Sequence, residues 1–268
     1  MISVILASMN RTSRVAQILE SWARQEIIGE IVICDWSSKE ELINNSQIQE
    51  IITKYNKIKI IRIDNQETFS MTKAYNLSYK FTDTKFKFLL KIDADYLLKD
   101  KSIFDILFSY NMDKSFFGGH SETQDGWLVY YGFFFIKKKY YPTFNENLLD
   151  TYGKDDLELY SRINRIYKLK IKQIDVSKYI YHIPHDRDIR YENYNVKGQI
   201  SRKDFLKKKF IKWYPQEYKI VEQTQQYIKV EKKERDANTP DNYSILEYNK
   251  STFYEPATIF QNPPLNKY

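Results

Sequence analysis

Residues Lys85–Tyr96 read KFKFLLKIDADY: a short apolar run that stops at two carboxylates. Phe86, Phe88, Leu89, Leu90 and Ile92 suit a strand buried on both faces of a mostly parallel sheet. In open α/β sheets ligands gather beyond the carboxyl ends of the strands, so Asp93 and Asp95 stand where a bound cation and its phosphates would be met. A spacing of two along an extended chain would turn both carboxylates to the same side. Alone, Asp-x-Asp is also a common solvated turn.

Working back towards the N-terminus, the same rhythm recurs. Ile2 to Ala7 reads as a buried strand, followed by Ser8-Met9-Asn10-Arg11 and a helix with Val15, Ile18, Leu19 and Trp22 at helical spacing. Thr12 or Ser13 is its expected cap. A second strand, Ile31 to Trp36, ends in Asp35-Trp36-Ser37-Ser38. Helical sequence over Ile43 to Tyr55, a strand over Ile58 to Ile63 and an amphipathic helix within Glu67 to Lys80, capped by Ser70, complete the run. Strand and helix alternate four times before residue 95, which predicts βαβ units with right-handed crossovers.

Downstream the rhythm changes. A helix is expected over Ile103 to Tyr110 and a long aromatic strand over Trp127 to Lys138, whose Gly132 suggests a bulge or a close approach by a ligand. Asp155-Asp156-Leu157-Glu158 opens a helix running to about Lys168, its acids placed to complement the helix dipole. Short strands are expected over Ile171 to Ile174 and Tyr179 to Tyr181, the latter running into HIPHDRDIR, His182 to Arg190. From about Lys197 the sequence reads as basic helices, one of them Tyr218 to Arg235. The end of the chain is rich in Asn, Pro, Tyr and Ser without a period.

The 268 residues are enough for one full core, or one domain with an appendage. The expected division is an α/β unit over 1–195 and a basic helical extension with its tail over 196–268. A single cysteine, Cys34, excludes an internal disulfide and a cysteine-based zinc cluster; inside the apolar run EIVICDW it suits a small buried thiol and a reducing compartment. No charged-then-apolar leader and no apolar run of about 18 residues is visible, so a cytoplasmic protein is expected. Between Lys197 and Lys219 eight basic residues face two acids, within a net charge of +7. Such a stretch suits a solvated helix face, an anionic membrane surface, a charged acceptor or a nucleic acid.

The order of motifs is more specific than any one of them. Asn10-Arg11, Asp35, Phe69 to Asn76, Asp93-x-Asp95, the Gly132 strand, Thr151 to Arg162 and His182 to His185 together resemble GT-A-fold glycosyltransferases. The pattern is similar to the family 2 type and to β-1,4-galactosyltransferase and chondroitin-polymerase-like enzymes. It covers roughly residues 1 to 190. The resemblance implies an α/β, Rossmann-like, mostly parallel sheet flanked by helices, followed here by a mainly helical C-terminal extension. It also implies a metal-dependent transfer of a sugar from a nucleoside-diphosphate donor, a UDP-sugar by preference, to a glycan or other hydroxyl acceptor, with inversion.

The resemblance further implies a role for each matching position. Asn10, Arg11 and Asp35 would hold the base and ribose, while Phe69 and Lys73 would line the nucleotide pocket. Asp95 would bind the divalent metal, manganese or alternatively magnesium, and Asp93 the ribose, a metal-bound water or the metal itself. The Gly-x-Glu-Asp motif falls on Gly153-Lys154-Asp155-Asp156, with Asp155 one methylene shorter than the expected glutamate and facing the acceptor. Asp156 takes the position of the catalytic base, suited to accepting the acceptor's hydroxyl proton. His182 and His185, three apart, have the spacing of the family's metal ligands, and with Asp95 they would make a mixed site suited to manganese. Arg187 and Arg190 suit a diphosphate or plain surface charge; Trp127 and Tyr131 suit sugar stacking or core packing. Two rival readings remain at this level: an inactive relative that binds sugar nucleotide or glycan, and a basic nucleic-acid-binding protein resting on a pI near 9.0.

Overall fold

The computed structural model describes residues 1–123, 126–146, 155–184 and 215–234, and the side chains of these residues except over 121–131. Five α-helices and eleven strands are described: β1 (Ile2–Ser8), α1 (Thr12–Ala23), β2 (Ile28–Trp36), α2 (Ser46–Lys54), β3 (Ile58–Ile63), α3 (Met71–Lys80), β4 (Phe88–Lys91), β5 (Tyr96–Leu98), α4 (Ile103–Ser109), β6 (Ser115–Thr123), β7 (Gly126–Lys137), α5 (Asp155–Tyr167), β8 (Lys170–Asp175), β9 (Ile180–His182), β10 (Tyr218–Gln223) and β11 (Tyr227–Lys232). Nine strands form one sheet in the order β10-β11-β3-β2-β1-β4-β7-β6-β8, and β5 pairs with β9 in a small second sheet. Neighbours from β11 through β4 run parallel, whereas β7 is antiparallel to both β4 and β6. The expected α/β class with a mostly parallel sheet is what the chain adopts.

The first strand shows how the sheet is covered. Ile2, Val4 and Leu6 pack into one layer with Val15, Ile18, Leu19 and Trp22 of α1, Ile48, Ile51 and Ile52 of α2, and Ile103, Phe104 and Leu107 of α4. Ile5 and Ala7 face the opposite layer with Ala74, Tyr75 and Leu77 of α3 and Leu159, Tyr160 and Ile163 of α5. This alternation is the period of two expected of a strand buried on both faces. Each such side chain, wholly removed from water, contributes about 1.5–3 kcal/mol. Cys34 is fully buried in β2 and burial drives its thiol pKa well up, which makes it a packed and unreactive thiol.

Several local expectations are corrected. Helix α1 begins at Thr12, so neither Thr12 nor Ser13 caps it: Arg11 holds the cap position, and the Thr12 hydroxyl donates instead to the Glu40 carbonyl at 2.6 Å. Ser70 does occupy the cap position of α3, without a side-chain cap hydrogen bond. The segment Tyr218 to Arg235, read as helical, holds the antiparallel hairpin β10–β11, and β11 joins the main sheet beside β3. There Ile228 and Val230 are buried against the second core layer while Glu231 is exposed, an alternation that only an extended chain satisfies. The hairpin is thus continuous with the sheet whose other strands lie between Ile2 and Asp175. Residues 196–214 and 235–268 lie outside the described residues. No helix among the described residues is long and apolar enough to cross a membrane.

Candidate active site

Strand β4 ends at Lys91, one strand away from β2 across β1, where the strand order reverses direction. This is the crevice in which open α/β sheets bind ligands. Asp93-Ala94-Asp95 follows at once, but not as an extended chain. The Tyr96 N–H bonds to the Asp93 carbonyl at 3.2 Å, closing a tight turn. The expected shared orientation of the two carboxylates therefore gives way to two separate sets of partners.

Asp95 faces α1 and β9. Its Oδ2 accepts from the Arg11 guanidinium at 2.9 Å and lies 3.6 Å from His182 Nε2; the residue is almost wholly buried. The meeting of residues 95 and 182 follows from backbone pairing. Strand β9 runs antiparallel to β5 with Tyr96 opposite His182, and the Ile183 N–H bonds to the Asp95 carbonyl at 2.8 Å. Helix α1 fixes β5 in turn: Trp22 Nε1 donates to the Tyr96 carbonyl at 2.7 Å, and the Leu98 N–H donates to the Ser21 hydroxyl at 3.1 Å. Arg14 holds the segment after β9 through the carbonyls of Ile183 and Pro184.

Asp93 faces α3, β7 and α5. Its Oδ1 accepts from the Tyr75 hydroxyl at 2.8 Å, and Lys91 Nζ stands 3.6 Å away. Gly132 of β7 lies directly against it: a Cβ there would fall 2.1 Å from Asp93 Oδ2. The pairing of β7 with β6 also shifts register at this point, from Gly118–Phe134 to Gly119–Tyr130. Gly132 thus sits at a bulge, as read, and the close approach is made by Asp93.

Asp155 and Asp156, in the first turn of α5, are both buried. Asp156 Oδ1 is 3.1 Å from Lys91 Nζ. Burial pushes the Asp156 pKa up, Lys91 pulls it down, and Asp93 pushes it up again; the net direction is upward. Asp155 is raised by burial and by the neighbouring Asp156 charge. For Lys91, wholly buried, the burial that favours the neutral form is outweighed by Asp156 and Asp93, and its pKa is raised. Glu158, the third acid of that turn, is instead held by Arg162 at 2.7 Å, which also bonds the carbonyls of Pro142 and Thr143. It anchors the helix.

The remaining expected positions surround these two groups. The Asn10 N–H donates to Ser38 Oγ and its Oδ1 accepts from the Lys39 N–H, both at 2.9 Å, tying together the loops after β1 and β2. Asp35 is buried, and both its oxygens are engaged by protein: Oδ1 by the Ser38 N–H, Oδ2 by the Leu42 N–H and Arg62. These bonds fix the carboxylate in the loop after β2. Phe69 is half-buried against the second core layer, and Lys73 lies in the first turn of α3. Burial and the Lys73 charge both lower the pKa of Lys232, at the end of β11. Beside it a cavity of about 380 Å³, lined by Asp64, Asn65, Gln66, Lys229, Glu231 and Lys232, opens at the carboxyl ends of β3 and β11.

His185, Gly153, Lys154, Arg187 and Arg190, and the side chains of Trp127 and Tyr131, lie outside the described residues. Among the described residues no three carboxylate, imidazole or thiol groups gather in a metal-binding arrangement; Asp95 and His182 form a pair. Two participants were missed from the sequence, Lys91 and Tyr75. The signal for Lys91 was a lone charge inside an apolar strand, two residues before Asp93; Tyr75 on its amphipathic helix gave none.

No protein-family model matches this sequence, and a search of curated proteins finds no match. Solved structures do match in shape. The catalytic domain of Drosophila β1,4-galactosyltransferase 7, in complex with xylobiose, superposes with a TM-score of 0.58 at 12% identity, covering 87% of this chain and 94% of that one. Residues 1–349 of S. aureus TarS with UDP-GlcNAc give 0.52 at 17% identity, covering 77% and 63%. The mannosyltransferase PcManGT from Pyrobaculum calidifontis, with GDP-Man and Mn²⁺, gives 0.51 at 12%, covering 65% and 54%. The chain has the fold of these glycosyltransferases, the GT-A fold.

Proposed function

We propose that this chain is a metal-dependent glycosyltransferase that moves one sugar from a nucleoside-diphosphate donor, a UDP-sugar by preference, to a hydroxyl of a glycan acceptor with inversion. The observation that carries the reading is the gathering of Asp93, Asp95, His182 and Asp156 around the carboxyl end of β4 in a chain of this fold. Ligands named with the structures of similar fold, UDP-GlcNAc, GDP-Man with Mn²⁺, and xylobiose, support the donor, metal and acceptor classes.

The donor set of Asp95 and His182 fits a divalent ion. A buried carboxylate oxygen and an imidazole nitrogen converge at 3.6 Å, the mixed oxygen and nitrogen character that suits manganese, with magnesium tolerated less well. His185 is the proposed third ligand. Bound there, the cation would neutralise charge developing on the leaving diphosphate.

The remaining chemistry belongs to the chain. Arg11, already on Asp95, brings a guanidinium to the phosphate side of the crevice. Asn10, Phe69 and Lys73 border the nucleotide, and Asp93, held by Tyr75 and Lys91, meets the ribose or a water. Asp156 takes the acceptor's proton as the acceptor oxygen bonds to the anomeric carbon and the nucleoside diphosphate departs with the electron pair. Its raised pKa makes it a stronger base than a solvated aspartate while Lys91 favours the ionised form. Asp155, beside Asp156 in the same turn, would orient the acceptor. The test is release of nucleoside diphosphate from a panel of UDP- and GDP-sugars with and without Mn²⁺; metal-stimulated turnover of one donor is expected, and neither turnover nor donor binding anywhere in the panel would overturn the reading. The stretch Lys197 to Lys219, with its eight basic residues, is proposed as an acceptor-side or anionic-membrane contact. Vesicle co-sedimentation that weakens with salt is the expected result, and no binding to anionic vesicles at low salt would exclude the membrane contact.

A further inference from the structure

A lysine closing an apolar strand is costly to bury unless its charge is used. Lys91 is almost wholly inaccessible, yet four side chains from separate parts of the chain meet on its ammonium. Asp156 of α5 lies at 3.1 Å, Asp93 beyond β4 at 3.6 Å, and the rings of Tyr75 and Phe144 at 4.6 and 5.8 Å. The hydroxyl of the same Tyr75 holds Asp93 from its other side at 2.8 Å. The Lys91–Asp156 pair, buried on both sides, is screened little, whereas Asp93 keeps a solvent side. Strand β4 itself is locked between β1 and β7, with Lys91 in register with Ile5 and Phe134, so the ammonium is referenced to the centre of the sheet.

We propose that Lys91 is the positioning residue of the site: one ammonium, shared by Asp93 and Asp156, that sets the acceptor-side carboxylate relative to the donor-side one. The inference rests on the reading of Asp156 as base. The donor is held around Asp93 and Asp95, whereas Asp156 is carried by a different element, α5. An in-line attack needs both in one frame, and about 1 Å of misplacement costs on the order of a hundredfold in rate. Lys91 supplies that frame without touching either substrate.

A double-mutant cycle tests it. Wild type, Lys91→Met, Asp156→Asn and the double variant are compared for kcat, donor KM and, without metal or donor, thermal stability. Lys91→Met is expected to lower kcat about a hundredfold with donor KM changed less than about tenfold. In the Asp156→Asn background it should cost almost nothing further, because the group it positions is already lost. The double variant, with both buried charges removed, should be more stable than Lys91→Met alone. Equal fold-losses in both backgrounds, or a Lys91→Met enzyme with wild-type kcat, would overturn the proposal. Where Lys91→Met yields no folded protein, Lys91→Gln decides by the same criteria. A wild type without turnover, by contrast, would count against the transferase reading, and the metal-free stability cycle would still report whether the two charges are paired.

Discussion

Replacing Gly132 with alanine puts a methyl group where the Asp93 carboxylate now rests. The added Cβ would stand 2.1 Å from Oδ2, 2.2 Å from Cγ and 2.8 Å from Oδ1, whereas ordinary contact begins at 3.4 Å, so the carboxylate must retreat by about 1 Å or more. Asp93 is free to do so on its solvent side, its side chain being 39% exposed, but it leaves the Tyr75 hydroxyl at 2.8 Å and loosens from Lys91. The stability loss is that of one hydrogen bond to a charged group, about 1.5–3 kcal/mol. Function should suffer more: a displacement of this size at a substrate-positioning carboxylate corresponds to roughly a hundredfold loss of kcat/KM. The expected Gly132→Ala enzyme is therefore folded, slightly less stable in thermal melts, and strongly impaired in donor turnover. Wild-type turnover with unchanged donor affinity would refute the argument that Gly132 exists to make room for Asp93.

Two further outcomes follow from buried charges and are read in stability alone. Arg62 bonds Asp35 at 2.9 Å, Asp64 at 2.6 Å and the Ser38 carbonyl at 3.0 Å; Arg62→Met strands the buried Asp35 and should cost about 3–5 kcal/mol in urea unfolding. A loss under 1 kcal/mol would show that the network contributes little. For Asp155 the folded-state pKa lies above its ordinary 3.8, through burial and the Asp156 charge. The folded state then binds the extra proton, so its stabilisation is present below pH 4 and is lost as pH rises through the raised pKa. Asp155→Asn should match wild type in thermal melts near pH 4 and exceed it increasingly towards alkaline pH, by an amount on the order of a few kcal/mol; a pH-independent difference would contradict the burial of that charge.

How far the sequence carried depended on whether the signal was local. The apolar strands leading to Asp35 and Asp93, and the helices between them, are legible because period and turn residues lie within a dozen positions. The meeting of Asp95 with His182 was implied only by resemblance, since the β5–β9 pairing that produces it joins stretches more than eighty residues apart. In the hairpin after Tyr218, Ile228 and Val230 alternate with Lys229 and Glu231 in a stretch rich in β-branched residues, a strand period at odds with the helix expected there. Nothing local to Asp35 reveals that Arg62, on the neighbouring strand, pairs with its carboxylate. Lys91 was passed over for a related reason: the worth of a buried cation depends on what other elements bring to it.

The most direct test of the account is Asp156→Asn measured against its own donor binding. Calorimetry with UDP-sugar and Mn²⁺ should give an affinity within a few-fold of wild type, while transfer to the acceptor falls by roughly 10²–10⁴, the usual contribution of a general base. Transfer at the wild-type rate with binding intact would contradict the assignment of Asp156 as the base.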